Sequence, residues 1–198
     1  MSEKPQIVLA SGSPRRKQML ENLGIEFTVI PSSAAEDEIP DETPEDHVVR
    51  LSIDKAKEVA ERPDVPGRWF IGSDTIVLQE GRILGKPAGK EDAAAMLRSL
   101  SGSEHRVLSG YAIIDREQQE IVADAVSTMV RFRELTESEI AGYIASGEPM
   151  DKAGAYAIQG KGGVFVESIE GSYNNVVGMP LCQVIEVLKR MGAVRLFE

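Results

Sequence analysis

The sequence holds one cysteine, two histidines and one tryptophan in 198 residues, and aromatic side chains make up only 5% of it. A single thiol cannot close an intrachain disulfide, so a packed core must hold the fold and the expected compartment is the cytoplasm. Cys182 reads as a small buried hydrophobe on a helix, since no histidine lies near it in sequence. His47 and His105 have no ligand spacing around them, so both read as structural. Basic residues are outnumbered, 22 against 32 acidic ones, for a formal net charge of −10. That balance argues against nucleic acid as a partner, because such surfaces need a basic field to release counterions. Any anionic substrate must then be small and neutralised locally. No apolar run approaches the ~18 residues of a membrane span, so neither membrane insertion nor secretion is expected.

What is present suits one soluble domain spanning residues 1–198, with 42% hydrophobic and 27% charged residues. The chain is organised around its opening, Ile7-Val-Leu-Ala-Ser-Gly-Ser-Pro-Arg-Arg16, where an apolar strand stops at small residues and two arginines follow. Ser13 and Pro14 suit the N-cap and first position of a helix. A strand, a small-residue loop and a helix start make a site for an anion, with Arg15 and Arg16 adding forked donors. An ordinary strand-to-helix turn with two solvated arginines would read the same from this stretch alone.

Further along, Met19, Leu20 and Leu23 keep helical spacing up to a stop at Gly24, and Glu26 to Ile30 reads as a strand. Ser32 to Glu42 is an acidic loop containing Glu36, Asp37, Glu38, Asp41 and Glu42. Thr43-Pro44-Glu45-Asp46 is a capped helix start, with the apolar face running to about Glu61 and Lys55 near its middle. Trp69 to Leu78 reads as a buried strand, interrupted by Ser73, Asp74 and Thr75. A helix is expected from Lys90 to Leu100, a long antiparallel pair over His105–Asp115 and Glu120–Arg133, and a capping-box helix from Thr136 to Ala145. A Gly-rich loop over Asp151–Gly163, a strand from Val164 to Ile169 and a helix from Pro180 to Met191 complete the pattern. The fold class is α/β, a twisted mixed sheet flanked by helices. Neither the dinucleotide nor the P-loop glycine spacing is present.

Three separate segments offer complementary chemistry: Ser11, Arg15 and Arg16 in the first loop, Asp74 in its strand, and Lys55 and Lys86 beyond them. Transfer at phosphorus needs cations on the nonbridging oxygens, a divalent ion and a carboxylate to hold it or orient water. An acid inside an apolar strand costs desolvation unless it is paired or holds a metal, so Asp74 points to function. Glu36 could be a second oxygen ligand of a hard cation. A lysine on a helix such as Lys55 and an acid in an acidic loop such as Glu36 are more often simply solvated, and Lys86 before Pro87 fits a turn.

Leu9-Ala-Ser-Gly-Ser-Pro-Arg-Arg16, Leu51 to Lys57, Gly72-Ser-Asp-Thr75, Gly85-Lys-Pro87, Leu100-Ser-Gly102, Asp151 to Gly160 and Gly171 to Leu181 occur in that order. Together they make the chain resemble the Maf family of nucleotide pyrophosphatases over essentially its whole length. The resemblance implies a Maf/ITPase-like fold and hydrolysis of a nucleoside triphosphate to monophosphate and pyrophosphate. It also implies a divalent cofactor, Mg²⁺ or Mn²⁺, a cytoplasmic setting and a homodimer. Ala155 to Gly160 and Gly171-Ser-Tyr173 look like the branch acting on dTTP and UTP. By the same likeness Asp74 is the proton acceptor, Arg15, Thr75 and Gln159 govern substrate choice, and Ser11, Glu36, Lys55 and Lys86 match phosphate and metal positions. Ala35 and Ala157 depart from the family pattern, where an acid and a glycine respectively are common. The family's link to septum formation keeps a second function open, a nucleotide-sensing regulatory protein. A phosphatase releasing orthophosphate is a third.

Overall fold

A computed structural model describes residues 6–37 and 39–197; Glu38 of the acidic run lies outside them. β1 (Ile7–Leu9), α1 (Pro14–Glu21), β2 (Phe27–Val29) and α2 (Pro44–Ala60) come first. They are followed by β3 (Trp69–Gln79), β4 (Arg82–Leu84), α3 (Lys90–Leu100), β5 (Glu104–Asp115) and β6 (Glu120–Phe132). The chain then forms α4 (Glu137–Ala145), three 3-10 turns between Glu148 and Phe165, β7 (Val166–Glu170), α5 (Tyr173–Val177) and α6 (Leu181–Arg190). The seven strands form one sheet in the order β2-β1-β3-β5-β6-β7, with β4 on β3. β1 is parallel to both β2 and β3, whereas β4 is antiparallel to β3 and β7 to β6. The mixed α/β sheet expected from the pattern is therefore present. β5 and β6 are neighbours joined by a connection too short for a parallel crossover, which makes them the long antiparallel pair.

The chain forms two compact units. One contains the described residues through Asp74, with Ser109–Val126 and those from Gly178 onward; the other contains Thr75–Leu108 and Ser127–Val177. Each has its own core. The first packs Val8, Ala56, Val59, Phe70, Ala112 and Ile114 together, and the second packs Leu97, Leu100, Val107, Phe132, Ile140 and Phe165. The long strands β3, β5 and β6 contribute residues to both, so no linker divides them.

Helix ends follow local chemistry. Thr43 Oγ1 accepts from the Asp46 amide at 3.1 Å, with Pro44 at the first helical position and Glu45 and Asp46 in the positive first turn. At α4, Thr136 and Glu139 form the full capping box. Ser13 precedes α1 as expected, but its side chain makes no cap bond; its amide donates instead to Ser11 Oγ at 3.2 Å. Cys182 corrects the sequence reading. It lies exposed on the outer side of α6 and takes no part in the core.

The placement of α2 decides which side chains surround Asp74. A Cβ on Gly72 of β3 would stand 2.0 Å from the Ser52 carbonyl oxygen, and one on Gly110 of β5 would stand 2.1 Å from that of Val48. Only glycine lets the helix backbone lie so close to the strands, and that approach carries the inner side chains of α2 onto β3. Gly110→Ala must push α2 away or strain the sheet, so it should cost about 1–3 kcal/mol of stability in urea unfolding. A parent-like midpoint would show that the close approach is not required.

Candidate active site

β1 leads into the site through a bond from the Ala10 amide to the Ile71 carbonyl at 2.8 Å. The small-residue loop then turns, and Ser11 Oγ accepts from the Arg16 guanidinium at 3.1 Å. Arg16 also donates to the carbonyls of Ser73 at 2.6 Å and Gly178 at 2.8 Å. It is buried, which pulls its pKa down to about 10, opposed chiefly by the nearby Asp74 carboxylate. It therefore stays charged at neutral pH. The expected phosphate-facing arginine is thus engaged with the protein's own acceptors. Burial and three protein acceptors make it a clamp that joins the first loop to β3 beside Asp74. Arg15, on the first turn of α1, is half-buried.

Asp74 is held on both sides of its backbone. Its own amide donates to Ser52 Oγ at 3.0 Å, and Ser73 Oγ before it donates to the Gly110 carbonyl at 2.8 Å. Its Oδ1 lies 2.6 Å from Lys55 Nζ, and the same ammonium lies 2.6 Å from Glu36 Oε1. Lys55 and Asp74 are each only 9% exposed, whereas the Glu36 side chain is 55% exposed. Lys55 is thus no solvated lysine. Two carboxylates reach it from separate segments, and its charge compensates them where a lone buried charge would be untenable. Ser52, one turn before Lys55 on the same helix face, escaped the sequence reading although its i, i+3 spacing from Lys55 could have signalled it.

Thr75, Lys86 and Gln159 belong to the second unit. Thr75 follows Asp74 on β3 and is half-buried, and Lys86 is exposed in the turn before Pro87 with no partner among the described residues. Gln159 is exposed on a bend whose two legs are fixed. On one leg the Ala157 amide donates to Tyr143 Oη at 3.1 Å, and that hydroxyl donates to Glu148 Oε1 at 2.9 Å. On the other, the amides of Lys161 and Gly162 donate to the two Glu148 oxygens at 3.1 and 3.0 Å. Burial works against the Glu148 carboxylate, but these bonds hold its pKa below the usual range. The sequence reading missed Glu148 and Tyr143, because nothing in their spacing announces contact with a loop more than ten residues on. His105 is a core residue as expected. Its Nε2 lies 2.8 Å from Tyr156 Oη, and burial lowers its pKa to about 4, so it is neutral at pH 7.

Residues 6–191 match the Maf-like protein family. The chain belongs to that family. This Maf-like chain is 63% identical over 191 residues to a dTTP/UTP pyrophosphatase of Syntrophotalea carbinolica, a match covering 96% of this chain and 87% of that protein. It is 54% identical over 193 residues to a dTTP/UTP pyrophosphatase of Geobacter metallireducens, covering 98% and 100%. It is 52% identical over 194 residues to one of Geotalea uraniireducens, covering 98% and 99%.

Arg16 and Lys86 have different environments: Arg16 is buried on protein acceptors and Lys86 is exposed. Removing Arg16 leaves buried carbonyls without a charged donor, so Arg16→Ala should lose about 2–3 kcal/mol of folding stability. Lys86→Ala should stay within about 0.5 kcal/mol of the parent in stability. Its effect should appear instead as a weaker nucleotide KM. Denaturant midpoints and KM values read the two, and equal stability loss in both variants would contradict the division.

Proposed function

We propose that this protein hydrolyses dTTP and UTP to the nucleoside monophosphate and pyrophosphate. The observation that carries the reading is the Asp74–Lys55–Glu36 arrangement, in a chain whose relatives at 52–63% identity are named dTTP/UTP pyrophosphatases. A nucleotide sensor would need the phosphate contacts but no buried carboxylate poised as a proton acceptor, so the enzyme reading is favoured over regulation of septum formation.

The donor set fits a divalent cation. Asp74 and Glu36 direct one oxygen each at a single positive charge, that of Lys55. That suits Mg²⁺ or Mn²⁺, which bind through one or two carboxylates and take their other ligands from water and phosphate. When bound, such an ion would offset charge on the phosphate oxygens.

The protein's own groups account for the rest. A water oxygen attacks the α-phosphorus, the bond from that phosphorus to the bridging oxygen of the β-phosphate breaks, and pyrophosphate leaves. Asp74 takes the proton released by the water, using the oxygen that Lys55 does not engage. Lys55 compensates the carboxylates, and Arg16 holds Ser11 and the loop in place. Arg15 and Lys86 serve as the phosphate contacts. Thr75 and Gln159 read the base, since phosphate contacts cannot tell one nucleotide from another. A Gln amide can match the carbonyl and N–H of uracil or thymine, but it must flip for cytosine. We place the protein in the cytoplasm as a homodimer. The exposed lone Cys182 suits a reducing compartment, and no helix among the described residues is long and apolar enough to cross a membrane.

Asp74→Asn keeps the shape but removes the proton acceptor, so turnover should fall by ~10² or more with the fold retained. Products from UTP, resolved as monophosphate plus pyrophosphate or diphosphate plus phosphate, decide the reaction, and near-normal turnover in folded Asp74→Asn would sink the assignment. For the base, kcat/KM for UTP should exceed that for CTP by about tenfold, from the 1–3 kcal/mol left by a mispaired amide. Gln159→Glu should change that ratio, and an unchanged ratio would leave Gln159 no part in reading the base.

A further inference from the structure

The arm that carries Glu36, described over residues 31–37 and again over 39–42, is tied to α2 in two places. Before Glu36, the Glu58 carboxylate accepts from the Ser33 amide at 3.0 Å and from the hydroxyls of Ser32 at 2.9 Å and Ser33 at 3.2 Å. Arg62 grips the same carboxylate at 2.8 Å and donates to the Pro31 carbonyl at 3.2 Å. After Glu36, Arg50 forks onto Glu42 at 2.6 and 2.7 Å. Its Nη2 also donates to the carbonyl of Asp37, the residue that follows Glu36, at 3.0 Å.

Between the ties lie Ala34 and Ala35, whose short side chains offer little apolar surface. They line a groove of about 620 Å³ whose other wall includes Arg50, Lys57 and Glu58. Apolar contact therefore does little to fix the arm, and the charge-assisted bonds at its ends carry that load. The carboxylates respond as firmly engaged groups do. The Arg50 fork holds Glu42 at about 2, and Glu58 is also held at about 2 by the Ser33 amide and Arg62 against the opposing effect of burial. Arg50, Asp54 and Glu58 follow one outward stripe of α2, while Ser52, Lys55 and Val59 follow the buried one. One helix thus grips the arm from outside and offers Lys55 to Glu36 from inside.

The geometry points to Arg50 and Glu58 as positioning residues that set Glu36 beside Asp74 for the divalent ion. The inference rests on the reading of Glu36 and Asp74 as the carboxylates that hold that ion. Neither Arg50 nor Glu58 touches the reacting groups.

Mn²⁺ binding to the nucleotide-free protein, followed by isothermal titration, tests this directly. Arg50→Lys keeps the charge, but one ammonium cannot replace a fork that spans Glu42 and the Asp37 carbonyl. Glu58→Gln keeps the size and loses the charge. Either change should raise the Mn²⁺ dissociation constant by roughly tenfold, the usual scale when support behind a ligand is removed. The Mn²⁺ concentration for half-maximal turnover should rise in parallel, while kcat at saturating Mn²⁺ moves by less than about twofold. In a Glu36→Gln background neither change should weaken Mn²⁺ binding further. Parent-like Mn²⁺ binding in folded Arg50→Lys and Glu58→Gln, with Glu36→Gln impaired, would overturn the inference. Equal losses with and without Glu36 would overturn it too, because the two residues would then act on the fold at large. If Arg50→Lys fails to fold, Glu58→Gln carries the test. Unimpaired Mn²⁺ binding by Glu36→Gln would remove the metal reading itself, and the inference would fall with it.

Discussion

One buried ammonium, Lys55 Nζ, stands 2.6 Å from carboxylate oxygens of two different segments. Taking a charge of either sign out of water costs several kcal/mol, so neither Lys55 nor Asp74 is tolerable there without the other, while the more exposed Glu36 adds a second carboxylate to the same ammonium. The demand propagates outward. Lys55 reaches Asp74 only if α2 lies against β3 and β5, which is why side chains are missing at Gly72 and Gly110. The same approach lets Ser52 Oγ take the Asp74 amide while donating to the Val48 carbonyl at 2.6 Å, so the strand and the helix are joined by one hydroxyl. Arg16 closes the arrangement from the other side through the Ser73 carbonyl.

Those dependencies explain what could be read from the sequence. Asp74 was legible because an acid amid Trp69, Phe70, Ile71, Ile76 and Val77 contradicts its surroundings, and a local contradiction is visible without knowing any partner. The capped starts of α2 and α4 were legible for a related reason, since every atom of a cap lies within four residues. Lys55 was not. A long aliphatic stem lets a lysine sit among apolar positions and still reach water, so its spacing fits either fate. Its burial depends on Asp74, 19 residues away, and on two glycines, one on β3 and one on β5. The protein contacts of Arg16 were hidden for the converse reason. Its motif suggests an anion, and nothing local reveals that the Gly178 carbonyl, 162 residues on, will take one of its donors. The two compact units were also hidden, because β3, β5 and β6 run through both without a break in composition.

The engagement of Arg16 and Lys55 within the protein changes the electrostatics of the proposed reaction. Of the four basic side chains that the sequence offers for phosphate, Arg16 is committed to carbonyls and Ser11, and Lys55 to Asp74 and Glu36. Arg16 and Lys55 balance Asp74 and Glu36, so these four groups together carry no net charge. A nucleoside triphosphate brings about four negative charges at neutral pH. It must approach a molecule that is itself at −10. On the proposed assignment, Arg15 and Lys86 would together offset about half of the substrate's charge. In this reading the remainder falls to the divalent ion, and the carboxylates that oppose the substrate in the metal-free protein are the same ones that would hold it. A metal dependence would then arise from how the cations are already engaged inside the protein, and the proposed positioning of Glu36 by Arg50 and Glu58 would belong to the same balance.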